Sequence, residues 1–164
     1  MYRAVKKLFS DLDSDNRREF LKLAKECYAE STPHGKSKPD REWLLALLSE
    51  VDPTTGYIYD NEIERKRDYL YESLLTANSS AARKKQIRRS LSYFVRMTAQ
   101  YSDDITDATI LKAYTDSGIK KVKWLTAHDE KVCSECRPRN GEIYRIDRIP
   151  AKHWGCRCRI LPIM

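Results

Sequence analysis

The sequence predicts an α+β fold: a helical region of about five helices over residues 1–118, then a small β-rich unit over residues 119–164. Three observations lead there. Apolar side chains recur at the helical spacing i, i+3, i+4, i+7 as far as about Asp116. From Ile119 the period drops to two, with Val122 and Trp124 alternating with Lys121 and Lys123. Four of the five cysteines fall in the last 32 residues, where a unit of about 45 residues buries too little apolar surface to hold together without a staple.

Taken in order, the first helix is expected over 15–29, with Phe20, Leu23, Ala24 and Cys27 on one face and Asn16 with Glu19 as its cap. Cys27 reads as a small buried hydrophobe. Residues 31–38 have loop composition and hold His34, a solvated loop histidine. A second helix starts at Pro39-Asp40, its face formed by Trp43, Leu44, Leu47, Leu48 and Val51, and Pro53 stops it. After the aromatic connector Gly56-Tyr57-Ile58-Tyr59, Asp60 caps a third helix reaching about Ala77. Its core stripe is Ile63, Leu70 and Leu74, widened by Tyr71 and Ala77, and Asn78-Ser79-Ser80 breaks it.

The fourth helix, about 80–101, turns Ile87, Leu91, Phe94, Val95 and Thr98 inward; a fifth, about 104–116, uses Ile105, Ala108, Leu111 and Ala113. Ser117-Gly118 ends it, because glycine reaches the left-handed cap cheaply. Beyond it, Asn140-Gly141 signals a turn, with Glu142 to Ile146 as the strand leaving it. Cys156 to Ile160 reads as a last strand with Cys156, Cys158 and Ile160 on one face.

Charged residues make up 34% of the chain and the mean hydropathy is −0.69, so the surface is large and polar. No apolar run approaches the roughly 18–20 residues of a membrane span, and the opening residues are too broken for a signal peptide. Synthesis in a reducing cytoplasm is therefore expected, which favours metal or free thiols over disulfides. The net charge of +7 is uneven: residues 1–80 carry −2, 81–116 carry +3 and 117–164 carry +6. On the fourth helix, Arg83, Lys84, Lys85, Arg88, Arg89 and Arg96 are the only charged side chains. They form either a solvated face or a contact for DNA phosphate or an acidic partner. Arg157 and Arg159 join them as candidate contacts from the C-terminal unit.

The cysteine cluster is Cys133-Ser-Glu-Cys136, a sixteen-residue gap, then His153-Trp-Gly-Cys156-Arg-Cys158. A C-x₂-C turn converges two sulfurs, and a later segment can supply the rest of a tetrahedral zinc site. Five candidates, Cys133, Cys136, His153, Cys156 and Cys158, compete for four places. Strand alternation pairs Cys156 with Cys158, whereas an H-x₂-C turn pairs His153 with Cys156. Free thiols in a core, or a disulfide formed in an oxidising medium, are the other readings. A catalytic zinc would need an open position and an acid or base nearby; His128-Asp129-Glu130 is the sole candidate. There is no H-E-x-x-H, no glycine-rich phosphate loop and no G-x-S-x-G, so no catalytic residues and no enzyme are expected. A structural zinc is.

The words from Tyr57-Ile-Tyr-Asp-Asn-Glu-Ile-Glu-Arg-Lys-Arg67, through Val122-Lys-Trp-Leu-Thr-Ala-His-Asp129, Val132-Cys-Ser-Glu-Cys136 and Asn140-Gly-Glu-Ile-Tyr144, to Pro150-Ala-Lys-His-Trp-Gly-Cys-Arg-Cys158 follow one another in order. In this series the chain resembles the phage Mu F-like minor head proteins, or head morphogenesis proteins, over roughly Gly56 to Pro162. It departs from them in setting Lys152 and Trp154 beside His153, where relatives often carry proline. The resemblance implies a non-enzymatic virion protein, carried in the capsid interior near the portal and concerned with DNA packaging, retention or ejection. Its partners would be the portal protein, capsid or scaffold proteins, and packaged DNA. A zinc-stabilised DNA-binding module or regulator is the alternative from charge alone, and a zinc nuclease the second alternative.

Overall fold

The computed structural model describes residues 1–33, 37–47, 49, 59–127, 129–153 and 155–164. The predictions made for His34, Leu48, Val51, Pro53, the connector 56–58, His128 and Trp154 lie outside these residues, as does the side chain of Asp60. Among the described residues there are four α-helices and a three-stranded sheet: α1 (Tyr2–Ser31), α2 (Arg41–Ala46), α3 (Tyr59–Thr76), α4 (Ser80–Asp116), β1 (Lys121–Leu125), β2 (Ile143–Arg145) and β3 (Arg159–Ile163). The α+β order stands; the count of five helices does not.

The two expected helices after Ser80 are one helix of 37 residues. Ser102-Asp103-Asp104 contains neither proline nor glycine, so nothing there removes a backbone donor or clashes with the preceding turn. Ser102 and Thr106 instead bond back to the carbonyls of Thr98 and Ser102 at 3.0 and 2.8 Å and ride inside the helix. Helix α1 likewise starts thirteen residues earlier than expected. Its opening turns have their own apolar spacing, Val5, Phe9 and Leu12, with Val5 and Phe9 buried. Asn16 is therefore no cap. It lies mid-helix and donates to Tyr59 Oη and Thr98 Oγ1, both at 3.0 Å.

Asp60, expected to cap the third helix, is no cap either, because α3 already includes Tyr59; the caps of α2 and α4 are side-chain acceptors. Asp40 accepts from the Trp43 amide at 3.0 Å, so Pro39 precedes the cap rather than opening α2. Ser79 accepts from the Ala82 amide at 3.1 Å and starts α4 two residues after α3 has frayed. Gly118, at φ 79°, ends α4 in the left-handed conformation.

The long helices form a three-helix bundle whose directions follow from their contacts. Phe9 meets Phe94 and Tyr28 meets Asp116, so α1 and α4 run parallel. Tyr59 meets Tyr101, while Tyr71 near the other end of α3 meets Tyr2, so α3 runs against both. The core joins Val5, Phe9, Phe20 and Ala24 of α1 to Tyr59, Ile63, Leu70 and Leu74 of α3 and Phe94, Met97, Tyr101 and Ile105 of α4. Leu44 of α2 closes it. Among the described residues one acid is buried: Glu62 accepts a two-pronged bond from Arg65, both arms 2.8 Å, and a third from Tyr93 Oη at 3.2 Å. Those bonds replace the water a buried carboxylate loses.

Four residues expected to face inward do not. Ile87, Leu91, Val95 and Ala108 are exposed, and Phe94, Met97, Tyr101 and Thr109 are the buried residues beside them. The first half of α4 is bordered by helices on only part of its circumference.

Beyond α4 the sheet is antiparallel throughout, in the order β2-β1-β3. Alternation on β1 works as read: Val122 and Trp124 are fully buried, and Lys121 and Lys123, which alternate with them, are exposed. A second core gathers Val122, Trp124, Cys136, Cys158 and Ile160 against Leu111 and Tyr114 on the last turns of α4. The strand expected over 156–160 runs instead from Arg159 to Ile163, with Arg159 opposite Leu125 and Ile163 opposite Lys121. Gly155, at φ 70°, and a bond from the Cys156 amide to the His153 carbonyl keep the preceding residues curled. That curl turns the cysteines toward Cys136 instead of along the sheet.

Candidate metal centre

The knuckle lies in the long connection between β1 and β2. Asp129 opens it by accepting from the Lys131 amide at 3.0 Å. The amide of Cys136 then points back at the Cys133 sulfur at 3.3 Å, and the Arg137 amide bonds the Cys133 carbonyl at 3.0 Å. A short 3₁₀ turn, Arg137–Arg139, carries the chain on to Asn140 and Gly141. There Gly141, at φ 85°, donates to the Trp124 carbonyl at 2.8 Å, and the Asn140 side chain accepts from the Thr126 amide. The turn read from Asn-Gly thus anchors the knuckle to β1.

The second arm is the turn His153–Cys156. It brings His153 Nε2 within 3.0 Å of Cys133 Sγ and 3.2 Å of Cys136 Sγ, and Cys156 Sγ within 3.7 Å of Cys136 Sγ. All five predicted ligands converge. They form two overlapping triads, Cys133/Cys136/His153 and Cys136/Cys156/Cys158, each with its ligand atoms within 4.8 Å of one another. Cys136, buried, belongs to both.

This donor set can hold a metal ion. Bond lengths of about 2.3 Å to sulfur and about 2.0 Å to nitrogen in a tetrahedron put ligand atoms roughly 3.5–3.8 Å apart. The Cys136–Cys156 separation already has that value, and the two sulfur–nitrogen separations are hydrogen-bonding distances that would open by about half an ångström. Protonation competes with such an ion. The Cys136 amide and its neighbours hold the Cys133 thiol below its ordinary value. Burial, together with the nearby thiols of Cys133, Cys158 and Cys156, pushes the Cys136 thiol up, and burial raises Cys156 as well. Crowded thiols resist ionising until a cation sits among them, and a soft divalent ion supplies the compensating charge.

Two residues that sequence reasoning missed fasten this loop to α4. Lys152 Nζ lies 2.6 Å from Asp107 Oδ2 and 2.6 Å from the Cys158 carbonyl, with its side chain mostly buried. About two turns earlier on the helix, Gln100 accepts from the Gly155 amide at 2.8 Å. Their seven-residue spacing puts Gln100 and Asp107 on one helix face, the single sequence signal that could have found them.

The eight basic residues proposed as contacts fall into two places. Arg83, Lys84, Lys85, Arg88, Arg89 and Arg96 are all exposed on the first half of α4. Arg83 lies about 26 Å along the helix from Gln100, where the metal loop docks. Arg157 is committed to a two-pronged ion pair with Asp129, both arms 2.6 Å. That pair depresses the carboxyl of Asp129, first through the Arg157 hydrogen bond, and ties the loop to the knuckle. Arg159 is exposed at the start of β3. No helix among the described residues is long and apolar enough to cross a membrane.

Compared with protein families, residues 65–161 match the one described as Phage Mu protein F like protein. No curated protein and no solved structure matched the chain. The matched segment takes in most of α3, all of α4, the sheet nearly to its end and every one of the five candidate ligands.

Proposed function

The chain belongs to the phage Mu protein F-like family, and from that membership we propose that it is a minor head protein, acting at the portal in head morphogenesis and in packaging, retention or ejection of DNA. The observation that carries this reading is that one family match spans both the bundle's long helix and the whole cysteine–histidine cluster. In this reading the virion interior near the portal is its location, and portal, capsid or scaffold proteins are its partners. The role in this reading is structural: the three long helices share one core, and the C-terminal unit is held against α4 by Gln100, Asp107 and Leu111.

A zinc ion is the occupant this reading assigns to the cluster. Cys133 and Cys136 would hold it from the knuckle, and His153 and Cys156 from the second turn, two x₂ turns facing each other. Cys158 would remain a buried thiol beside the centre. The bound ion would replace the missing cohesion of a small unit and leave no open position for water.

Purification of proheads from infected cells tests the role. The protein should co-purify with the portal at few copies per particle and bind isolated portal rings. A protein absent from proheads and indifferent to the portal would end this assignment.

A further inference from the structure

On the first half of α4, Ile87, Leu91 and Val95 recur every four residues and are 38%, 39% and 67% exposed. They form one stripe. Lys84 and Arg88 fall within it, each three residues before one member and seven before the next. No acidic residue occurs between Ser80 and Ser102. Among the described residues neither Lys84 nor Arg88 makes an ion pair.

The stripe's place in the bundle follows from its neighbours. Tyr93 of α4 meets α3, through Glu62 and a lysine, Lys66, over its ring. Phe94 and Thr98 meet α1. On the helical wheel Ile87 falls between Phe94 and Thr98, and Leu91 and Val95 fall beyond them, on the side away from Tyr93. On α1, Tyr2 turns to Tyr71 of α3, whereas Leu8, on the opposite shoulder of buried Val5, is 38% exposed. The stripe and Leu8 therefore border the groove between the parallel helices α1 and α4, on the side that α3 leaves open.

We propose that this groove is the docking site for an acidic amphipathic helix of a partner protein, lying where a fourth helix would complete the bundle. Charge complementarity selects that occupant. Phosphates would answer the cations but would leave the aliphatic row in water. A helix with aliphatic residues at i, i+3, i+4 and i+7 buries the row, and glutamates or aspartates on its flanks meet Lys84 and Arg88. The surface lies far along α4 from the metal loop, so the inference goes beyond the head-protein reading and stands without it.

The test uses the full-length protein and a fluorescein-labelled peptide of about 18 residues, five helical turns, made of leucine and glutamate with the leucines on one face. Its scrambled isomer and a short DNA duplex serve as competitors. Anisotropy should show the amphipathic peptide binding about tenfold tighter than either, a difference readily resolved. Val95→Glu should weaken it about tenfold or more without altering helix content by circular dichroism. Arg89→Glu, on the opposite side of α4, should leave it nearly unchanged. Equal binding of peptide and scramble would overturn the proposal. So would tighter binding of DNA that Val95→Glu does not affect, which gives the face to nucleic acid. A native dimer that Val95→Glu converts to monomer would give it to a second copy of the chain.

Discussion

Tyr28 ties the last turn of α1 to the last residue of α4: its hydroxyl donates to Asp116 at 2.6 Å, and Lys112 holds the same carboxylate. The bond to Asp116, then burial, raises the phenol to about 12 from an ordinary value of 10. A group whose folded value is raised stabilises the fold fully below its unfolded value and loses that contribution as pH climbs through the folded one. Unfolding followed by circular dichroism should thus show stability falling between about pH 10 and about pH 12, and Tyr28→Phe should flatten that part of the profile. An unchanged profile would mean that Tyr28 is not the group responsible. At this scale the sequence was legible wherever chemistry is carried by residue type and close spacing. The five candidate ligands were found because C-x₂-C and H-x₂-C-x-C are local words. Asn16 was misread because its partners, Tyr59 and Thr98, lie 43 and 82 residues away.

Between elements, what joins the metal loop to α4 is a small set of polar contacts. Lys152 Nζ is shared by Asp107 and the Cys158 carbonyl, and burial raises the Asp107 carboxyl despite the lysine beside it. Lys152→Met keeps the length of the stem and removes the charge, leaving a largely desolvated acid without its cation. The expected cost is about 1.5–3 kcal/mol, the range for hydrogen bonds to charged groups. Thermal unfolding should report that loss, and amide exchange should rise in residues 149–158 before it rises in α1. A loss confined to the bundle would contradict the proposed linkage. Element boundaries were partly illegible for want of such contacts in the sequence. Periodicity finds a face but not its neighbour, so it placed Ile87, Leu91 and Val95 in a core that the bundle does not extend to. It divided α4 at a run of serine and aspartate that only weakens a helix. It found β1 because Val122 and Trp124 alternate on a sheet with one wet face. It misplaced β3 because the left-handed Gly155 and the bond from the Cys156 amide to the His153 carbonyl curl the chain before Arg159.

At the scale of the whole molecule, two cores share one helix. The bundle packs on the front and middle of α4, and the cysteine-bearing sheet packs on its end through Leu111 and Tyr114. The α+β order and the family were legible because both reside in patterns along the chain; the direction of the helices and the open groove arise from contacts distant in sequence. The family membership makes this a phage head protein in our reading, and the proposal that the Cys/His cluster holds zinc makes the ion the staple of its C-terminal unit. Native mass spectrometry of the purified protein is the most direct test. It should show one zinc per chain, retained by Cys158→Ser and lost from Cys136→Ser and Cys156→Ser, with the C-terminal unit alone unfolding in those two variants. A metal-free protein whose C-terminal sheet stays folded, in the parent chain and in Cys136→Ser alike, would contradict the account.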